Sequence, residues 1–188
     1  MKKIFVYFSV ILCLFVFCGA GYEHSNWTDN QIKAHEIAEI ARSMGLEEDN
    51  PIIQEAKNIW ESETEEVKIL ANTVYYESKY CTDRHQQLVA QVVINRVNDE
   101  RFPNDIKSVI KQPNQYAGNY ASNLPDYISC NEEMKRCFIN ALEATRGNVE
   151  CPSNVIYQSN YESLGTEHYE VIYVNTGYYS STTYFAYG

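Results

Sequence analysis

From Val67 the chain reads VKILANTVYYESKYC, and apolar residues fall at Val67, Leu70 and Val74, the spacing of one helical face. The spacing predicts a helix over 64–79, and the next position on its stripe is an acid, Glu77. Upstream, TDNQIKAHEIAEIARSMG opens at a Thr28 or Asp29 cap, sets Ile37, Ile40, Ala41 and Met44 on one face, and stops at Gly45. DNPIIQEAKNIWESE restarts with Asn50 as cap and Pro51 at the first helical position, turning Ile52, Ile53, Ala56 and Trp60 inward. These two segments predict a helical hairpin over 21–63, after a loose stretch at 21–27.

A further helix runs from a Thr82 or Asp83 cap to about Asn98. Leu88, Val89, Val92, Val93, Ile94 and Val97 make it apolar nearly all round, which predicts a buried central helix. Pro103, Pro113 and Pro125 then break the pattern, leaving one short helix over 106–111 in a long irregular stretch, the kind of segment that often holds binding residues. A last helix begins at an Asn131 cap with acids in its first turn and ends at Gly147. After it, SNVIYQSN, YEVIYVN and TTYFAYG are β-branched and aromatic runs that predict a small antiparallel sheet. The pattern is that of a mainly helical α+β chain with a C-terminal sheet.

The first twenty residues follow a different rule. Two lysines, an unbroken apolar run and the Cys18-Gly19-Ala20 close read as a signal peptide cut after Ala20, with a retained membrane anchor as the alternative if it stays uncleaved. Loss of Lys2 and Lys3 with the leader leaves 13 basic against 25 acidic residues, a net charge of −12. Nucleic acid is excluded as a partner by that balance, because phosphate backbones are held by clustered Lys and Arg. Four cysteines remain: Cys81, Cys130, Cys137 and Cys151. An even count in an exported protein predicts two disulfides; no CxxC pair and no HExxH occur to suggest zinc, and no metal or cofactor is expected. Cys130 and Cys137 flank the first turns of one helix and lie too far apart to bond, and we expect Cys81–Cys130 with Cys137–Cys151.

Glu77 is the residue with a candidate chemistry. If Val67, Leu70 and Val74 face the core, the acid points the same way, near the negative end of its helix dipole and with no Arg or Lys one turn before it. Those conditions favour a protonated carboxyl, which a general acid for glycosidic cleavage requires. The alternative is a helix-terminal glutamate that turns to solvent or pairs with Lys79 or Arg96. Periodicity alone leaves both open.

VYYES, QQLVAQVVINRVNDERFPNDIKSVIKQPNQY and the closing YFAYG resemble the cell-wall hydrolase family of SleB and CwlJ type, known from spore cortex-lytic enzymes, over about 70–188. The resemblance implies a catalytic domain at 64–188, a fold related to lysozyme and lytic transglycosylases, and peptidoglycan glycan strands as substrate. It also implies Glu77 as catalytic acid/base, and a secreted protein at work in the cell wall. A lysozyme-type hydrolase uses two carboxyls, and Asp83, Asp99, Asp105 and Asp126 sit at caps or in turn-rich sequence. A lytic transglycosylase needs one, so a 1,6-anhydro product is expected; a muramidase and a non-catalytic glycan-binding protein are the alternatives. Tyr76, Gln112, Gln115, Tyr116, Tyr157 and Gln158 are candidate substrate-binding residues, and eight of the 16 tyrosines lie between Tyr157 and Tyr187, where sugar rings can stack. Asn95 and Arg96 match the family's NRV, and we expect them to anchor a loop. The chain departs from the family's EARGE with ESKYC, which sets Cys81 at the place of a second acid, and its STTYF has no histidine where members carry GNHVF. A monomer is expected.

Overall fold

A computed structural model of the chain describes residues 29–47, 49–54, 63–116, 131–175, 177 and 180–188. The leader at 1–20, the stretch at 21–27, Ala56, Trp60, Asp126 and Cys130 lie outside the described residues. Among the described residues six helices precede three strands: α1 (Asp29–Ser43), α2 (Pro51–Gln54), α3 (Glu65–Ser78), α4 (Asp83–Val97), α5 (Ile106–Ile110), α6 (Glu132–Thr145), β1 (Val155–Ser159), β2 (His168–Asn175) and β3 (Ser180–Tyr187).

The helices start where short polar side chains can accept from the otherwise unpaired amides of a first turn. Thr64 accepts from the Val67 amide at 3.4 Å, Thr82 from His85 at 3.3 Å, Asp105 from Ser108 at 2.7 Å and Asn131 from Met134 at 2.9 Å. Gly45 ends α1 at φ +81°, a left-handed conformation that a side chain would strain. Asn50 caps α2 as its sequence suggests, accepting from the Ile52 amide at 2.9 Å.

The core lies between α3, α4 and α6. Ile69, Leu70, Val74, Leu88, Val92, Phe138, Ile139 and Leu142 are fully enclosed there, each such side chain contributing about 1.5–3 kcal/mol of burial. The stripe on α3 is wider than its spacing suggests, for Ile69, Ala71, Asn72 and Thr73 are buried too. α4 is the central helix, touching α3, α5, α6 and β1. The sheet order is β1-β3-β2, so the last strand lies in the middle, antiparallel to both neighbours. Phe185 and Ala186 turn from β3 into the core.

The expected Cys137–Cys151 bond is not formed: both are free thiols. Each faces different neighbours. Cys137 is enclosed on α6, where burial and then the nearby Cys81 and Asp83 push its thiol pKa upward. Cys151 stands near the other side of α4, beside Asn95, Arg84 and Glu170, and burial raises its thiol to about 11. The expected Cys81–Cys130 bond involves a residue outside the described ones.

Candidate active site

Three regions carry the candidate residues: the last turn of α3, the last turn of α4, and the turn after α5 with the β1–β2 connection. On α3 the buried face runs through Val74 to Ser78, whose hydroxyl donates to the Val74 carbonyl at 2.8 Å. Tyr76 on the other side is 56% exposed. Glu77 stands between them, half-buried, at the border of core and solvent. That address exposes a carboxyl on one side while packing limits its freedom on the other.

The last turn of α4 supplies the second segment. Asn95 donates to the carbonyls of Pro152 at 2.8 Å and Val155 at 2.9 Å, and Arg96 donates through Nε to the Ile156 carbonyl at 2.7 Å. These bonds fasten the start of β1 to the central helix, an anchoring role, though for β1 and not for the long irregular stretch. Arg96 also reaches further. Its guanidinium lies 5.5 Å from the centre of the Phe102 ring and 5.9 Å from that of Tyr116, distances at which a cation is drawn to an aromatic face.

The turn after α5 and the connection from β1 to β2 complete the site. Arg96, Asn114, Gln115, Tyr116, Tyr157, Gln158, Ser159, Tyr161, Ser163 and Leu164 enclose a cavity of about 440 Å³. Asn114 takes the left-handed conformation, φ 61°, that lets this turn bend toward the cavity. Gly165 holds the opposite wall close. A Cβ there would lie 2.5 Å from the Ala186 Cβ and 2.8 Å from the Tyr187 carbonyl, so the connection approaches β3 only because residue 165 has no side chain.

Tyr116 links the cavity to Glu77. Burial raises its phenol pKa to about 12; Arg96 opposes the rise and Glu77 adds to it, which places both charges within electrostatic reach of the ring. The Tyr116 hydroxyl and the Gln158 Oε1 are enclosed with no hydrogen-bond partner among the described residues, as is the Gln112 Oε1. Enclosed polar atoms are normally paired, so two such atoms on one cavity wall point to groups that a ligand would satisfy.

Of the residues expected to bind substrate, Gln115, Tyr116, Tyr157 and Gln158 line the cavity. Tyr76 and Gln112 do not. Tyr76 follows the helical turn outward, and Gln112 sits where α5 gives way to the Asn114 turn. The sequence does not single out Asn114, Ser159, Ser163 and Leu164, points to Tyr161 only as one of eight tyrosines, and offers Arg96 as an anchor or a partner of Glu77; the polar QSNYESLG run is the available signal. Three of the four aspartates weighed as a second acid are engaged locally. Asp83 pairs with Arg136 and Asn140, Asp99 is held down to about 2 by hydrogen bonds from Arg101, and Asp105 caps α5.

Among the described residues, no helix is long and apolar enough to cross a membrane. Two spore cortex-lytic enzymes from Bacillus cereus are 31% identical to this chain over 77 residues, which is 41% of this chain and 29% of each relative. The chain thus matches less than a third of the length of these relatives. No solved structure matches it. Residues 82–177 match the Cell Wall Hydrolase family; this range takes in α4, the cavity wall and β2 and begins five residues after Glu77. The chain belongs to the Cell Wall Hydrolase family of SleB type.

Proposed function

We propose that the protein is an exported enzyme that cleaves the glycan strands of peptidoglycan, with Glu77 as the acid/base of a lytic transglycosylase. The observation that carries this reading is the position of Glu77 at the edge of the core, within electrostatic reach of Tyr116 on the wall of a polar, aromatic cavity. Family membership and the partial likeness to spore cortex-lytic enzymes support the substrate class.

The choice of a single-carboxyl mechanism is supported by Asp83, Asp99 and Asp105, each of which is already engaged by other groups of the fold. Glu77 protonates the glycosidic oxygen as the bond to C1 of N-acetylmuramic acid breaks. The resulting carboxylate then takes the proton from the C6 hydroxyl of the same sugar as that oxygen bonds to C1. The glutamate returns to its starting state, no water is consumed, and the product carries a 1,6-anhydro ring. Gln115, Tyr116, Tyr157 and Gln158 hold the sugar through hydrogen bonds and ring contacts.

Digestion of purified peptidoglycan by wild type and Glu77→Gln, with products read by mass spectrometry, tests this. The expected outcome is fragments lighter by one water from the wild type and none from the variant. Fragments of full hydrolytic mass would make the enzyme a muramidase. Sedimentation with cell wall without any release would make it a binding protein.

A further inference from the structure

Among the described residues the Arg96 side chain makes one hydrogen bond, and it lines a cavity. Only 4% of the residue is exposed, its Nε is committed to the Ile156 carbonyl, and among the described residues it forms no ion pair with a carboxylate. Four other enclosed or half-enclosed cations behave differently, while Lys79 lies against the Tyr75 and Tyr80 rings. Arg84 meets Glu170, Arg136 meets Asp83, Arg146 meets Glu63, and Lys135 meets Glu36 and Glu132. Taking a cation out of water without an opposite charge is strongly unfavourable, so the lack of an anion among the described residues marks Arg96 out.

The surroundings also fix its shape. Phe102 and Tyr116 flank the guanidinium, and the bond to β1 fixes Nε, so its two terminal amino groups are set in place before any ligand arrives. A preorganised planar fork of this kind matches the two oxygens of a carboxylate. The unpartnered Tyr116 hydroxyl adds a second donor on the same wall.

We propose that Arg96 is a specificity residue that receives a carboxylate of the muramyl unit in the cavity. This rests on the peptidoglycan reading given above. The carboxylate has two possible sources: the lactyl group, free where a stem peptide has been removed, or the acid at the end of a stem. A plain N-acetylglucosamine polymer has neither, so the same contact separates cell-wall glycan from chitin.

The test uses the wild-type full chain and titration calorimetry with three ligands. These are N-acetylglucosaminyl-N-acetylmuramic acid, its lactyl methyl ester, and the same disaccharide carrying a dipeptide stem with a terminal carboxylate. At least ten-fold tighter binding of the free acid than of the ester supports the lactyl source, and the same preference for the dipeptide over the ester supports the stem source. Equal binding of all three, or binding of none, overturns the proposal. Arg96→Gln is expected to abolish the preference and Arg96→Lys to keep part of it, with thermal melting to confirm that each variant is folded. Because binding is read without turnover, the outcomes separate from those for Glu77. Peptidoglycan cleavage with no acid preference sinks this inference alone, and acid preference without cleavage sinks the enzymatic reading alone.

Discussion

The two ends of α4 carry polar side chains into the same fold, one against other side chains and the other against a cavity. At the N-terminal end the polar groups are knitted together. Asp83 receives Arg136 and Asn140; Gln86 accepts from Asn140 at 2.8 Å and donates to the Ser78 carbonyl at 3.1 Å; Arg84 bridges to Glu170 and Tyr169 on β2. At the C-terminal end Asn95 is fully used, yet among the described residues the two Arg96 amino groups and the neighbouring Tyr116 and Gln158 atoms have no hydrogen-bond partner. Enclosed atoms without a partner among the described residues occur at both ends, His85 Nδ1 and Asn140 Oδ1 at the first, the Tyr116 hydroxyl and Gln158 Oε1 at the second. What differs is that side chains of the first bind one another across three elements, whereas those of the second face a cavity.

The comparison breaks most visibly at Gln86. Replacing it with Ala removes a fully buried side chain, takes one of its two acceptors from the Asn140 amide and removes the side-chain donor from the Ser78 carbonyl. The expected loss is about 3 kcal/mol in urea denaturation, with cleavage per folded molecule unchanged. A variant that kept its stability would show that this end is not the structural one.

His85 tests the same end by pH. Burial, only partly opposed by Glu170, holds its imidazole at about 4 against an ordinary 6.5, and its ring stands edge-on to Phe185. The unfolded chain therefore binds the proton more readily. The stability it contributes is complete above pH 6.5 and falls as pH drops toward 4, by about 3 kcal/mol over the window. Denaturation at pH 7 and pH 4 should show wild type losing about that much more than His85→Gln; parallel losses would mean the proton goes elsewhere.

At the open end the smallest change in stability is expected from Tyr116→Phe. It deletes a hydroxyl that has no partner to lose, so the folded state shifts by less than about 0.5 kcal/mol, while the KM for solubilised glycan strands rises several-fold. A large loss of stability would mean that the hydroxyl serves the fold.

Periodicity and caps made the helical scaffold readable. Val67, Leu70 and Val74 announce α3, the polar residues Thr64, Thr82, Asp105 and Asn131 mark where helices start, and the three β-rich runs give the sheet. The address of Glu77 was legible as well, because a helix fixes which side each residue faces. Tyr76 shows the limit of neighbourhood in sequence: one step along a helix rotates a side chain by about 100°, and it carried this ring into solvent. The cysteines show another limit. Whether Cys137 meets Cys81 or Cys151 depends on which face of α6 turns toward which junction, and spacing does not encode that. The β1–β2 connection was unreadable for the same reason, since ESLGT has no period and its close approach at Gly165 depends on β3, twenty residues later.

Glu77→Gln acting on purified peptidoglycan, read by mass spectrometry beside the wild type, bears most directly on the central claim. Anhydro-muramyl fragments from the wild type, with none from a variant that melts at the same temperature, is the predicted result. Fragments released at equal rates by both proteins would contradict it.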